Sequence, residues 1–233
     1  MKALILAAGL GERMRPLTNT IPKPLLMAGG KPLIAWHLEK LAALGVRDVV
    51  VNTSWLAARF PATLGDGAQW GLRLHYSYEG ETPLETGGGM LHALPLLDDA
   101  PFLLVNGDIW TDYDFARLPR EPKGLAHLVM VDRPAQATQG DFALDEAGFV
   151  RAHGANLLTY AGLGVYRPQL LEDWRATIVD ASGAELAPPR FKLAPILRAR
   201  MAMDAITGEH HHGRWTDVGT PQRLQQLDAG LQG

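Results

Sequence analysis

Short apolar runs alternate with helical patterns along the first half of the chain. "ALIL" precedes the helical pattern "LIAWHLEKLAAL", and the runs "DVVVN", "LRLHYSY" and "FLLVNGD" follow with further helical patterns between them. Such alternation is typical of βαβ units, in which parallel strands carry helices on the faces of their sheet. We therefore expect an α/β protein with a Rossmann-like, mixed but mostly parallel sheet flanked by helices.

The spacing of apolar residues predicts where individual helices and strands lie. Apolar residues recur three and four positions apart from Leu33 to Leu44, which predicts a helix, and Gly45 can end that helix in a left-handed conformation. After about Asp114 the rhythm changes. Strands are predicted at "LAHLVMV", "DFALD" and "LTYAGLGVYR", and helices at "LLEDWR", "KLAPILRARM" and "PQRLQQLDAGL". We interpret the chain as a single domain, residues 1–233, whose two halves meet near residue 112.

Composition excludes several classes of function. The 233 residues carry a net charge of -3 and no run of basic residues, which argues against partners such as nucleic acid or an anionic membrane. The absence of cysteine excludes disulfides, a thiol nucleophile and a thiolate zinc site. No apolar stretch approaches the length that spans a bilayer. We expect a soluble protein of the cytoplasm that binds small molecules; the sequence does not indicate its oligomeric state.

A glycine turn follows the first apolar run, in the stretch "LAAGLGERMRPLT". A strand that enters such a turn is a common setting for backbone N–H groups that bind phosphates. A dinucleotide fingerprint would need glycine where Met14 stands and an acidic residue near Asn52, so a nicotinamide oxidoreductase is disfavoured. The Walker A pattern is also absent. The turn therefore predicts a phosphate site of another type.

A lysine lies ten residues beyond this turn, between two prolines in "IPKPLL". Proline fixes its own φ angle and restricts the residue that precedes it, so Lys23 is presented from a stiff backbone. A rigidly placed cation suits a polyphosphate. Arg13, within the glycine turn, supplies a second positive charge.

Together, "LAAGLGERMRPLT" and "PKPLL" resemble the signature of the sugar-phosphate nucleotidyltransferases, which make nucleoside diphosphate sugars from a nucleoside triphosphate and a sugar 1-phosphate. The resemblance extends over essentially the whole chain. It implies a GT-A-like nucleotide-diphospho-sugar transferase fold, with a nucleotide-binding half at 1–112 and a sugar-phosphate-binding half at 113–233. It also implies catalytic roles for Arg13 and Lys23. The nucleotide contacts that it implies are Ala8, Gly9, Gly11, Glu12, Arg13, Lys23, Glu85, Thr86, Gly87 and Asn106.

A second glycine element, "PLETGGGMLHAL", is similar to the family's "LGTAGAL", with Glu85 where glycine is common. On physical grounds, Thr86 to Gly89 form a tight turn into a helix, whose N-terminus would favour an anion or a base carbonyl.

Two aspartates are expected to hold Mg²⁺. "FLLVNGD" ends at Asp108, at the carboxyl edge of the predicted sheet, where open α/β sheets bind ligands. Asp217 lies in "RWTDVGTP", which resembles another element of the family. Mg²⁺ commonly takes one or two carboxylates together with phosphate oxygens.

The sugar phosphate is expected to meet residues of the second half. The resemblance implies contacts by Asp141 in "QGDFALD" and by Tyr160 and Gly162 in "LTYAGLGVYRP". Many relatives carry a glutamate-lysine-proline element in mid-chain, which this sequence lacks. Lys192, at a predicted helix start, is the candidate replacement for its charge.

Three consecutive histidines, His210 to His212, suggest metal binding at first sight. Neighbouring residues of a strand point to opposite faces, so His210 and His211 cannot easily share one ion. We interpret the histidines as a solvated turn between two short strands.

Within the family, the chain most resembles members that transfer UMP from UTP to N-acetylmuramate α-1-phosphate in peptidoglycan recycling. Guanylyltransferases of mannose or heptose 1-phosphate and phosphocholine cytidylyltransferases remain alternatives. A non-catalytic nucleotide-sugar-binding regulator is an alternative of a different class. Loss of Arg13, Lys23 or either aspartate would favour the regulator, and all four residues are present.

Overall fold

The computed structural model describes residues 1–178 and 182–232. Its strands are β1 (Ala3–Leu6), β2 (Met27–Ala28), β3 (Lys31–Pro32), β4 (Asp48–Thr53), β5 (Arg73–Tyr78), β6 (Phe102–Asn106), β7 (Ile109–Thr111), β8 (Ala126–Val131), β9 (Phe142–Leu144), β10 (Val150–Arg151), β11 (Leu157–Tyr166), β12 (Ile206–His211) and β13 (Trp215–Asp217). Its α-helices are α1 (Leu33–Ala43), α2 (Arg59–Leu64), α3 (Glu85–Ala93), α4 (Trp174–Thr177), α5 (Leu193–Met201) and α6 (Pro221–Gln232).

The main sheet joins both halves of the chain. Its order is β10-β9-β11-β6-β1-β4-β5, and β8 pairs with β11 and with β12. Strands β5, β4, β1 and β6 run parallel to one another, and β8 runs parallel to β12. Strand β11 is antiparallel to β6, β8 and β9. The expected mixed, mostly parallel sheet is confirmed. The carboxyl ends of β1, β4 and β6 therefore meet at one edge.

Alternation along each strand divides the core into two layers. In β1, Ala3 and Ile5 face the layer that contains residues of α1 and α2, whereas Leu4 faces the layer that contains residues of α3 and α5. This division follows from the two-residue period of a strand. Helices thus cover both faces of the sheet, as the sequence predicts.

A third, smaller cluster joins the last helix to the glycine turn. Met14, Trp110 and Val218 are buried together with Leu227 of α6. Met14 directly follows Arg13, and Trp110 lies two residues after Asp108. Burial of these two apolar side chains therefore holds the backbone beside both polar residues in place.

Of the helices in residues 1–178 and 182–232, none combines the length and the apolar character needed to span a membrane.

Two sequence predictions about local structure are wrong. "LLEDWR" is not one helix, because Asp173 has φ +55° and separates a 3-10 turn at Pro168–Leu171 from the short α4. His210 and His211 do not lie in a turn, since β12 extends through His211 in parallel ladder with β8. This strand is polar at its end, and its pairing partner lies about eighty residues earlier in the chain, so local patterns did not reveal it.

Candidate active site

Two clefts open beside the carboxyl ends of β1 and β6. The first has a volume of about 630 Å³ and the second about 380 Å³. Residues that line both are Arg13, Asn106 and Asp108. The first cleft is otherwise lined by residues that include Ala8, Gly9, Gly11, Glu12, Lys23, Asn52, Glu79, Glu85, Thr86 and Arg190. The second is otherwise lined by residues that include Gln136, Gln139, Asp141, Tyr160, Gly162, Trp215, Asp217 and Arg223.

The first glycine turn offers free backbone donors to the first cleft. Within the described residues, the N–H groups of Ala8 through Arg13 donate to no protein acceptor. A Cβ atom built on Gly9 would meet no atom within 4 Å. Gly11 has φ +63°, and a Cβ there would approach Thr18 Cγ2 to 2.8 Å, so this position needs glycine for its conformation and its contacts. A run of unpaired N–H groups is suited to bind an anion.

The cation within this turn, Arg13, and the one that follows it, Lys23, differ in exposure and in pairing. Lys23 is held in a 3-10 turn, its side chain is only 10% exposed, and its Nζ donates to Asp108 Oδ2 at 2.6 Å. Arg13 is exposed and, within the part of the chain that the structure describes, forms no ion pair. Since Arg13 lines both clefts, its charge is available to a ligand that extends through the place where they meet.

Tertiary pairing brings the two predicted metal ligands together. Asp217 lies opposite Ile109 in the antiparallel pair of β7 and β13, and the N–H of Val218 donates to the carbonyl of Asp108 at 2.9 Å. Both carboxylates line the second cleft, and their side chains are 38% and 31% exposed. Asp217 also forms an ion pair with Arg223.

This donor set fits a magnesium ion. Each aspartate has one oxygen engaged by a cation and a second oxygen for which the described residues provide no hydrogen bond. Carboxylate oxygens are the ligands that Mg²⁺ takes in proteins, together with oxygens of the substrate. Asp108 and Asp217 could therefore hold one ion between the clefts.

Asn106 has a close neighbour in the second half of the chain. Gly162 has φ +73°, and a Cβ atom there would lie 2.6 Å from Asn106 Nδ2. Any larger residue would thus displace the amide from the point where the clefts meet.

Two further predicted residues form the far wall of the second cleft. Asp141 Oδ2 accepts from the N–H of Tyr160 at 2.9 Å. The Tyr160 hydroxyl lies 2.7 Å from that of the buried Tyr166, and burial raises the pKa of Tyr160 well above its ordinary value. The hydroxyl thus turns away from the cleft, which leaves the ring to contact a ligand.

The glycines of the second glycine element use their backbone donors within the protein. The N–H groups of Gly87 and Gly88, at the start of α3, both donate to the carbonyl of Phe191, at 2.9 and 3.0 Å. The N–H of Phe191 in turn donates to Leu84, and that of Leu193 donates to Thr86 Oγ1. The N–H groups of Glu85 and Thr86, at the same helix terminus, donate to no acceptor among the described residues, and both residues line the first cleft. The expectation that this terminus attracts an anion or a base carbonyl therefore stays a prediction for these two residues and does not extend to the glycines.

Close packing explains why this element contains glycine at positions 87 and 88. A Cβ atom on Gly87 would lie 2.5 Å from the ring of Phe191, and one on Gly88 would lie 2.5 Å from the carbonyl oxygen of Pro189. Gly87 accordingly does not line the first cleft, although it was predicted to contact the nucleotide. The glycines instead allow the segment 189–193 to approach α3.

Segment 189–193 also corrects the prediction for Lys192. Lys192 is exposed at the start of α5 and belongs to the lining of neither cleft. Arg190 lines the first cleft instead, with its Nη2 at 3.4 Å from Glu85 Oε1. The expected compensation for the missing glutamate-lysine-proline element therefore finds no support in the position of Lys192.

Sequence reasoning also missed a buried polar pair below the first cleft. Asn52 accepts from the N–H of Ala7 and donates to Glu79, and Glu79 Oε2 accepts from the N–H of Leu84 at 2.8 Å. Burial raises the pKa of Glu79 above its ordinary value. The pair joins the first glycine turn to the loop before α3. Its one sequence signal was Asn52 at the end of a buried strand.

Comparison with known proteins places this geometry in a family. A family model described as nucleotidyl transferase matches residues 2–143. An N-acetylmuramate alpha-1-phosphate uridylyltransferase from Neisseria meningitidis serogroup B is 45% identical over 236 residues, which cover 98% of this chain and 97% of that protein. The chain belongs to the nucleotidyl transferase family. It is therefore an enzyme of the nucleotidyltransferase class, and the membership predicted from its motifs is confirmed.

A second relative and a solved structure agree with this assignment. A protein with the same description from Caulobacter vibrioides is 34% identical, with 98% of this chain and 96% of that protein covered. Among solved structures, a Bacillus anthracis protein to which glucose-1-phosphate thymidylyltransferase activity has been ascribed, in complex with a sucrose, has a TM-score of 0.84. It is 19% identical and covers 100% of this chain and 95% of that one. The expected nucleotide-sugar transferase fold is thereby confirmed.

Proposed function

We propose that this enzyme transfers UMP from UTP to N-acetylmuramate α-1-phosphate in a Mg²⁺-dependent reaction that yields UDP-N-acetylmuramate and pyrophosphate. The observation that carries the proposal is the meeting of two clefts at Arg13, Asn106 and Asp108. Transfer between two bound substrates requires adjoining sites with the reacting phosphates at their boundary. Both halves of the chain, 1–112 and 113–233, would thus act as one domain.

The nature of the substrates is inferred from relatives. Two proteins that match along nearly their full lengths are described as N-acetylmuramate alpha-1-phosphate uridylyltransferases. We assign UTP to the first cleft, where the free N–H groups of residues 8–13 suit a triphosphate, and the sugar 1-phosphate to the second cleft. We further place the reaction in the cytoplasm, as a step in peptidoglycan recycling.

The proposed reaction is an in-line displacement at the α-phosphorus of UTP. An oxygen of the sugar 1-phosphate forms the new P–O bond, the bond from the α-phosphorus to the bridging oxygen breaks, and its electron pair leaves with pyrophosphate. The attacking phosphate is already anionic near neutral pH, so no residue has to remove a proton. Catalysis then depends on positioning and on positive charge around the transferring phosphoryl group.

The chain supplies this charge at defined points. Arg13, which is free of an ion pair within the described residues, would neutralise the leaving β- and γ-phosphates. Lys23 is positioned by its prolines and by Asp108 to reach the α-phosphate and the incoming oxygen. Asp108 and Asp217 would hold Mg²⁺, which when bound neutralises phosphate oxygens and orients the two substrates.

Pyrophosphate release tests the proposal. The protein is incubated with Mg²⁺, with each nucleoside triphosphate in turn and with a panel of sugar 1-phosphates. We expect UTP with N-acetylmuramate α-1-phosphate to give the highest kcat/KM. Equal or faster turnover of GTP with mannose 1-phosphate would overturn the assigned substrates, and no pyrophosphate from any pair would favour a non-catalytic regulator. Dependence on Mg²⁺ is checked by removing it with EDTA and restoring it.

A further inference from the structure

Three potential metal ligands lie together at the far end of the sheet. Asp132 directly follows β8, His210 lies in β12, and His212 follows the end of β12. One ligand atom from each residue can be chosen such that all three lie within 4.8 Å of one another. The cluster combines two imidazoles with one carboxylate, whereas the proposed magnesium site contains carboxylates alone.

Strand geometry explains why His210 and His212 meet. Residues two positions apart share a face of a strand, and the two imidazole centroids are 3.9 Å apart. His211 points to the other face, where its Nε2 lies 2.7 Å from Asp112 Oδ1. The parallel register pairs His211 with Val131, so Asp132, the next residue along the chain, comes to the end of β12, where its Oδ1 lies 3.0 Å from His210 Nε2.

The distances suit a small tetrahedral ion. Zinc ligand bonds of about 2.0–2.2 Å place ligand atoms roughly 3.3–3.5 Å from one another. His210 Nε2 is 3.0 Å from Asp132 Oδ1, and all three ligand atoms fall within 4.8 Å. Because Asp132 and His212 are exposed, their side chains can close the remaining difference by rotation.

One ring nitrogen in the cluster lacks a partner. His210 Nε2 is shielded from solvent and makes no hydrogen bond of acceptable geometry with the described residues, although Asp132 is near. A shielded ring nitrogen without a hydrogen-bond partner is uncommon in folded proteins and calls for a ligand. A bound metal ion would satisfy both this nitrogen and Asp132.

We propose that Asp132, His210 and His212 bind a divalent first-row transition metal ion of the zinc type. Imidazole with carboxylate is a donor set that such ions accept, whereas Mg²⁺ prefers oxygen alone. The three residues leave a fourth position for water or an external ligand.

The ion would restrain two chain segments that border the second cleft. Asp132 begins the loop 132–141, in which Pro134, Gln136 and Gln139 line this cleft. His212 precedes Trp215 and Asp217, which line it from the other side. A metal that joins Asp132 to His212 therefore links two segments that bound the same cleft. This inference concerns the cluster itself and does not depend on which sugar phosphate or nucleotide the enzyme uses.

Calorimetric titration with Zn²⁺ tests the site, in excess Mg²⁺ so that Asp108 and Asp217 are occupied. We expect one Zn²⁺ per chain. For His212→Gln, affinity should fall by about 10-fold or more, since even residues that only support metal ligands commonly contribute that much. Asp132→Asn should weaken binding in the same direction. The matched control is His75→Gln, because His75 forms a similar pair with Asp48 at 2.9 Å but with no second imidazole near it among the described residues.

Hydrogen exchange provides a second readout that is independent of activity. Zn²⁺ should slow exchange in residues 132–141 of the wild type and of His75→Gln, but not of His212→Gln. No binding to the wild type, or equal affinity in His212→Gln and the wild type, would overturn the site. Binding that leaves exchange in the loop unchanged would overturn the link to the second cleft. Thermal unfolding of each variant confirms that it is folded.

Discussion

Two glycine-rich segments of this enzyme differ in what their backbone donors contact. The N–H groups of Ala8–Arg13 donate to no acceptor among the described residues, and a Cβ on Gly9 would point into open space. Those of Gly87 and Gly88 both donate to Phe191, and a Cβ on Gly88 would meet a backbone oxygen at 2.5 Å. The first segment is therefore open to a ligand, whereas the glycines of the second are packed in the interior.

This difference shows that a glycine cluster before a helix has two distinct uses. Glycine can let a ligand approach the backbone, or it can let another part of the same chain approach it. In the second segment, the approach of residues 189–193 carries Arg190 to the rim of the first cleft. The glycines of the second segment thus act on the site through what they allow to pack, because their own N–H groups already donate to Phe191.

The largest effect is expected beside the open segment. Lys23→Ala should lower kcat by about 100-fold, because a preorganised charge near the transferring phosphate commonly contributes that much. Steady-state pyrophosphate release measures it. Lys31→Ala is a matched control, since Lys31 also pairs with a carboxylate, that of Glu39, and lines neither cleft. Wild-type kcat in Lys23→Ala would remove this lysine from the catalytic machinery.

The second-largest effect is a loss of folding stability expected in the packed segment. Gly88→Ala should lower the free energy of unfolding by about 1–3 kcal/mol, the usual effect of overpacking, because the new methyl group would meet the backbone oxygen of Pro189. Urea denaturation measures this change. If Gly88→Ala is as stable as the wild type, segment 189–193 is not packed as tightly on α3 as described.

The converse substitution tests the open segment directly. Gly9→Ala should keep or slightly raise the Tm, because its Cβ has space and alanine reduces the entropy of the unfolded chain. Its kcat/KM for the nucleoside triphosphate should fall by about 10-fold, or about 1.4 kcal/mol, since the methyl group projects into the first cleft. Thermal unfolding and nucleotide kinetics on one preparation separate the two outcomes. A large fall in Tm with unchanged kinetics would show that Gly9 is packed against the protein and is not open to a ligand.

The smallest effect is expected for Glu79, which together with Asn52 forms the buried pair that joins the two segments. Burial raises the pKa of Glu79 above its ordinary value of 4.5. A raised carboxyl pKa contributes stability that is present below the unfolded value and is lost as pH rises through the folded value. Glu79→Gln removes this titration, so its Tm relative to that of the wild type should rise over a pH range that begins near 4.5 and extends upward through the raised pKa. A constant difference across this range would show that Glu79 does not titrate with a raised pKa.

Local patterns in the sequence predicted much of the fold. The strand at Ala3–Leu6 and the helix that begins at Leu33 were found because their apolar residues follow the periods of a strand and a helix. Strand β7 escaped, and β12 and β13 were expected only as two short strands around a histidine turn, since each is short or polar and is defined by a partner distant in the chain. Periodicity carries no information about such partners.

The sequence by itself determined the family, the glycine turn at Ala8–Arg13 and the types of residue around it, because these depend on glycines, prolines and charges at fixed local spacing. Only the tertiary structure decided that the donors of Gly87 and Gly88 are used by Phe191, that Arg190 rather than Lys192 lines a cleft, and that His210 and His212 meet Asp132. The physical reason is that hydrogen bonds and close contacts between remote segments depend on how strands and helices pack, and a linear pattern does not specify that packing.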